Sequence, residues 1–346
     1  MRVLGEWRTR TSGLLVLVAL AMMPPLVAGE TPGVVNVYSY RQPFLVQPMF
    51  DAFTRETGIG VKVVFAKKGL TERLKREGRN SPADLIFTVD IGRLNEVYVD
   101  GLTQPVSSAV LDANIPPQYH GPGDHYFGLT LRARVVAASN ERAGDLKAID
   151  YEDLALPEYK GRICTRSGKH VYMVALFASM IAHHGPRYTE QWMRGLKANL
   201  ARRPQGNDRA QVRAVKEGVC DLALVNHYYI AKMYENPKQR AWAEAIHVIF
   251  PNQTHRGTHV NISGVALTAH APHRQNAIRL MEFLSGDEAQ SMYSQINSEY
   301  PVKPGVRWSE FLRSLGVFKA DDLALGRIAA LRTEATKLAD KVGYNE

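Results

Sequence analysis

Val219-Cys220-Asp221-Leu222-Ala223-Leu224-Val225-Asn226-His227-Tyr228-Tyr229 is the stretch on which the reading of the fold turns. Bounded by Gly218 and Asn226, its apolar run reads as a buried strand that empties into two adjacent tyrosines. In open α/β sheets the carboxyl ends of the strands are where ligands bind. Neighbouring side chains point to opposite faces in a strand and diverge by about 100° in a helix, so two phenols converge on one object only if the strand stops at them. An isolated Tyr-Tyr is more often ordinary aromatic packing, so the surrounding pattern must decide.

Working outward, a helix beginning near Asp208 precedes this strand. Arg162-Ile163-Cys164 reads as another strand, followed by the polar, basic loop Thr165-Arg166-Ser167-Gly168-Lys169-His170. An almost wholly apolar helix over 171–182 comes next, closed by Gly185, with Tyr172 in its first turn. Towards the amino end, a strand over 34–40 ends in Ser39-Tyr40-Arg41-Gln42-Pro43. Leu45, Val46, Met49, Phe50 and Phe53 then recur at helical spacing up to Gly58. A strand over 61–66, a short helix over 72–77 that Thr71 caps, and a strand over 83–89 ending at Asp90 complete a β-α-β-α-β unit, hence a parallel sheet. Segments 129–138 and 261–268 read as strands crossing between two lobes. From residue 312 onward the pattern is mostly helical, with Leu323, Ile328, Leu331 and Leu338 as packing residues. The resulting architecture is two α/β lobes joined by crossover strands: 30–130 plus 256–305, and 131–255 plus 306–346.

A chain of 346 residues, 45% hydrophobic and 22% charged, is long enough for two cores and has globular composition. Arg2, Arg8 and Arg10, an apolar run over 14–23 and the small residues before Gly29 predict a cleaved secretory signal over 1–29. The run is too short to span a bilayer comfortably, so a soluble, exported protein is expected. No cysteine marks a lipoprotein cleavage point, and Thr9 separates Arg8 from Arg10, against a twin-arginine signal. The net charge is +9, of which the leader's three arginines and Glu6 supply +2. The basic residues are scattered rather than striped, and with no recognisable module the charge does not indicate nucleic acid. The two cysteines, Cys164 and Cys220, lack C-x-x-C spacing and fit a disulfide in an oxidising compartment better than a zinc cage.

Tyr40, Tyr172, Tyr228 and Tyr229 all fall on what should be the ligand side of the sheets. Phenolate is a hard anionic donor suited to Fe(III), and a trivalent cation would displace the phenol proton on binding. At these residues the chain resembles the ferric-iron-binding periplasmic proteins of ABC importers, including their cyanobacterial iron-uptake branch. Similar segments include Val37-Tyr38-Ser39-Tyr40-Arg41, Ser81-Pro82-Ala83-Asp84, Arg132-Ala133-Arg134-Val135, Lys160-Gly161-Arg162-Ile163-Cys164 and Gly257-Thr258-His259-Val260-Asn261. The resemblance implies a two-lobed α/β periplasmic binding protein of type II, with parallel-rich sheets and crossover hinge strands. It further implies a non-enzymatic, monomeric periplasmic protein that binds Fe(III) and delivers it to an inner-membrane ABC permease. Tyr228, Tyr229 and Tyr172 match the family's iron-binding tyrosines.

In the first lobe the sequence departs from the pattern. Gln42 stands where some relatives place histidine, Pro43 where the cyanobacterial branch has tyrosine, and Val89 about where other members use glutamate. Tyr40 is the replacement by chemistry and Gln42 by position. Some relatives complete the iron site with carbonate or phosphate, for which Arg41, Arg166, Ser167 and the start of the 171–182 helix are the candidates. For each arginine alone, a solvated surface charge is the bland alternative. The paired His183-His184 is explained by its helix end. His120 and His125 flank a Gly-Pro-Gly turn, His227 points away if its neighbours point in, and Asp90 reads as a helix cap. Two other functions compete: a binding protein for phosphonate, sulfate or an organic acid, and an exported metal-dependent hydrolase. The hydrolase lacks a nucleophile elbow, an H-E-x-x-H motif and a carboxylate-rich metal cluster.

Overall fold

The computed structural model describes Met1 and residues 33–346; the rest of the expected 1–29 leader lies outside the described residues. No helix among the described residues is long and apolar enough to cross a membrane.

Strand β1 (Val34–Ser39) leads into α1 (Pro43–Thr57), which starts with proline and ends at Gly58. Gly58 has φ 73° and returns its N–H to the Thr54 carbonyl, a left-handed cap that glycine makes without strain. Val46, Met49, Phe50 and Phe53 form the buried stripe the spacing predicts. Strand β2 (Gly60–Phe65) and α2 (Leu70–Glu77) follow. The residue that opens α2 is Gly69, φ 86°, not Thr71 as the sequence implied; Thr71 lies inside the first turn. After β3 (Leu85–Thr88), Asp90 caps α3 (Ile91–Val99) as expected, its carboxylate accepting from the N–H groups of Gly92 and Arg93. A short α4 (Ala109–Asn114) precedes β4 (Phe127–Ser139), whose thirteen residues are all buried.

The second part of the chain holds β5 (Ile163–Cys164), α5 (Val171–Ala198), α6 (Asp208–Lys216), β6 (Leu222–Asn226), α7 (Tyr228–Tyr234) and β7 (Ile246–Ile249). Strand β8 (Val260–Leu267) and the short β9 (Tyr300–Pro301) complete the sheet. Gly185, φ 79°, breaks α5 where the sequence placed its end, but Pro186 restarts a helical segment directly, as proline does at a first turn. Near the carboxyl end, Ile328 and Leu338 are buried while Leu323 and Leu331 pack partly buried against the core.

The strand order is β2-β1-β3-β8-β4-β6-β5, with β7 and β9 also on β4. Strand β1 pairs in parallel with β2 on one side and β3 on the other, and β5 with β6, whereas β4 and β8 run antiparallel to their partners. The first half of β4 pairs with β8 from Phe127 to Ala133; the second half pairs with β6 and β7 from Arg134 to Ser139. One strand therefore serves two sets of neighbours, and the carboxyl ends of β1 and β6 face a common cavity.

Cys164, ending β5, and Cys220, just before β6, are bonded, with Cα atoms 5.9 Å apart. The bridge closes a loop of 56 residues of sequence separation. Replacing both cysteines by serine should therefore lower the unfolding free energy by about 4 kcal/mol on the chain-entropy account. Urea unfolding checks this, and a loss below about 1 kcal/mol would show that the bridge constrains little.

Candidate metal centre

Strand β6 stops at Asn226 and α7 starts at Tyr228, so the backbone passes from extended to helical across His227. That residue is fully buried. Its Nδ1 accepts the Ala133 N–H at 3.1 Å and its Nε2 donates to the Ser298 carbonyl at 2.9 Å. Burial holds its pKa down at about 4, so it is a neutral structural spacer that ties β6 to β4. With His227 turned inward, Tyr228 and Tyr229 both face the cavity, ring centroids 4.3 Å apart.

The third phenol comes from the start of α5. His170 is the residue before this helix, and its Nδ1 accepts the Tyr172 N–H at 3.2 Å. This places the Tyr172 hydroxyl 3.2 Å from that of Tyr228. The three tyrosines line one cavity of ≈ 390 Å³. Burial first, then the neighbouring phenols, raise the pKa of Tyr228 well above the ordinary value, and burial with Tyr172 does the same to Tyr229. Guanidinium groups face the rings: Arg166 and Arg132 lie 5.2 and 5.6 Å from the Tyr172 centroid, and Arg209 lies 5.4 Å from that of Tyr229. Tyr228 and Tyr229 are thus oxygen donors that burial keeps neutral, beside guanidinium groups that favour the phenolate form.

The other expected site residues are placed differently. Tyr40 lines the same cavity, but its hydroxyl accepts the Thr71 N–H at 2.9 Å and lies 3.1 Å from Thr71 Oγ1. Its oxygen is thus committed to the start of α2 rather than brought to the phenol trio, because Gly69 rather than Thr71 opens that helix. Gln42 is exposed on the cavity rim and makes no capping bond. Arg41 is on the wall but buried in an ion pair with Glu299, Nη2 to Oε2 3.0 Å. Arg166 ion-pairs with the buried Asp208, which also holds Arg134. Ser167 accepts the Lys169 N–H within its own loop. Neither Arg166 nor Ser167 lines the cavity. Arg41 and Arg166 thus each already pair with a buried carboxylate, Glu299 and Asp208, and Asp208 is shared with Arg134.

Sequence reasoning missed Arg132, Arg209 and Glu299, all on the cavity wall. Arg132 is 2% exposed, donates to the Ile262 carbonyl at 2.6 Å and leaves Nε without a partner among the described residues. Its signal was present: arginines at 132 and 134 alternate within an otherwise apolar strand. Glu299 offered no local signal. Burial alone would push its carboxyl up, but Arg41, Arg132 and the Thr130 hydroxyl outweigh this and hold it below the ordinary range. The other histidines singled out in the sequence bond elsewhere. His120 bonds Asp124 and the Ile115 carbonyl, His125 bonds Thr103, His183 bonds Asp321, and His184 bonds Glu152. Among the described residues no group of three or more His, Cys, Asp or Glu side chains is placed to hold a metal ion, so the phenols are the candidate ligands.

A mixed α/β fold thus brings these phenol donors to one cavity. The chain belongs to the bacterial extracellular solute-binding proteins, whose family model matches residues 80–310. Members bind solutes outside the cytoplasm and are not enzymes, which removes the hydrolase reading. The chain is 40% identical over 347 aligned positions to iron uptake protein A1 of Synechocystis, covering 99% of this chain and 96% of that one. Among solved structures it resembles ferric iron-binding protein A of Mannheimia haemolytica in an open conformation, with TM-score 0.87 and 50% identity over 91% of this chain and 99% of that one. It also resembles a Trichodesmium protein in complex with iron and citrate, with TM-score 0.86 and 41% identity over 90% and 100% of the two chains. These likenesses establish the type II periplasmic-binding-protein fold.

Proposed function

We infer that this chain captures Fe(III) in the periplasm through the phenolates of Tyr172, Tyr228 and Tyr229 and delivers it to an inner-membrane ABC permease. The observation that carries the reading is the convergence of three phenol oxygens on one cavity wall, with Tyr172 and Tyr228 hydroxyls 3.2 Å apart. Hard anionic oxygens select a trivalent hard cation, and relatives named for iron uptake and ferric iron binding support the same cargo. Three protein oxygens leave about half of an octahedral shell open, which an anion such as carbonate or phosphate, or water, completes. Among the described residues Arg41 and Lys232 of the wall pair with Glu299 and Glu235, and Nε of Arg132 and of Arg209 has no partner. Tyr40 leaves the ligand set on this reading, and Gln42 remains as the one exposed donor on the opposite rim.

The lobe division at 130/131 and 255/256 is supported by the change of partners along β4 and by the entry of β8 at Val260. Closure about these strands, cleavage of the 1–29 leader and a monomeric state belong to the same proposal. Titration with Fe(III) tests the cargo. A visible phenolate-to-iron band should saturate at one equivalent and bleach when a reductant is added with an Fe(II) chelator, because reduction removes the charge that keeps the phenolates ionised. Far-ultraviolet circular dichroism should stay constant throughout. Protein that remains colourless with Fe(III) would overturn the reading in favour of an anion cargo.

A further inference from the structure

Helix Arg332–Lys341 packs along α5, and the segment beyond it turns back against the loop 165–170 that launches α5. Tyr344 is wholly buried there. Its hydroxyl lies 3.0 Å from Thr165 Oγ1, and its ring stands edge-on to Phe177 of α5, centroids 5.2 Å apart. The same ring covers the backbone of Gly168 so closely that a Cβ at that position would fall 2.6 Å from it. Asn345 Oδ1 accepts the Gly168 N–H at 2.9 Å, and the Asn345 carbonyl accepts from Arg203 Nε at 3.0 Å. Lys169 is drawn to the same side by Asp340, at 2.9 Å.

This loop sets where Tyr172 stands. Arg166 faces the Tyr172 ring from one end of the loop, and His170 bonds the Tyr172 N–H at the other. The Arg166 end is anchored by Asp208 and the Gly168 end by Tyr344 and Asn345. We propose that Tyr344 and Asn345 are positioning residues for the Tyr172 phenol, holding the loop so that its oxygen meets that of Tyr228. The inference rests on the reading of Tyr172 as an iron ligand. A metal site is sensitive to such support, since partners that orient a ligand are typically worth about 10–100-fold in metal affinity.

The experiment measures Fe(III) affinity by competition with citrate, the wavelength of the visible band and the thermal midpoint, in full-length protein. Asn345→Ala should lose about 10-fold in affinity and shift the band, with the thermal midpoint nearly unchanged. Asn345→Asp, which keeps an acceptor for the Gly168 N–H, should retain both affinity and band. Tyr344→Phe keeps the ring while removing the Thr165 contact, and should show a smaller shift in the same direction. Tyr172→Phe serves as reference. If it loses affinity while Asn345→Ala matches the wild type, the positioning role fails and the ligand assignment stands. If Tyr172→Phe is itself neutral, both fail. Equal losses in Asn345→Ala and Asn345→Asp would also overturn the proposal, because the acceptor would then not be what matters.

Discussion

Tyr229→Phe should leave the protein folded but with a markedly weakened and shifted visible band with Fe(III), and with affinity lower by on the order of 100-fold or more. The substitution removes one oxygen and keeps the ring, so its tilted packing against Tyr228, centroids 4.3 Å apart, survives. Outer partners of a metal ligand are typically worth about 10–100-fold, so the ligand itself should be worth no less. Proton release supplies a second signature. Burial keeps Tyr228 and Tyr229 protonated well above the ordinary range, and iron must displace each of those protons. Affinity therefore falls as pH falls, by about one log unit per pH unit for each phenol displaced. In Tyr229→Phe that slope should drop by about one. A variant with wild-type colour and wild-type pH slope would remove Tyr229 from the ligand set.

Asp208→Asn should destabilise the fold by about 3–5 kcal/mol, because it strips the counter-charge from two buried guanidinium groups. Asp208 is fully buried, pairs with Arg134 and Arg166, and accepts the Asn226 N–H at 3.0 Å. Burial alone would push its carboxyl up, but the two arginines outweigh this and hold it below the ordinary aspartate value of 3.8. With the folded value depressed, this stabilisation is fully present above 3.8 and is lost as pH falls through the lower folded value. The variant should accordingly be much weaker than the wild type at neutral pH and converge on it in strong acid. Urea unfolding across pH decides the matter. A variant within about 1 kcal/mol of wild type at pH 7 would show that the arginines find other partners.

What the sequence revealed and what it hid divide along a physical line. The run from Val219 to Tyr229 carries its own strand, stop and turn, so β6 and the tyrosine pair were readable locally. The same holds for Gly58, whose left-handed cap needs glycine, and for Asp90, whose carboxylate caps the next helix. Contacts with remote partners were the ones the sequence hid. Arg41 meets Glu299 across 258 residues and Arg166 meets Asp208 across 42, so both looked free when read in their own neighbourhoods. The contact of Tyr40 turns on a smaller detail, the starting residue of α2. Once Gly69 opens that helix, the Thr71 amide and hydroxyl are presented to the Tyr40 oxygen.

All three phenols hang from the starts of α5 and α7, beside β5 and β6, while Gln42 sits after β1, which three intervening strands separate from β6 in the sheet order. On the proposed ligand set, capture and retention thereby fall to different parts of the chain. An ion entering the cavity would meet the three tyrosines first, and contacts from Gln42 and its neighbours, made on the proposed closure, would lengthen its residence. Changes at residues 40–44 should therefore alter how long iron stays, and changes at 172, 228 and 229 whether it is caught at all.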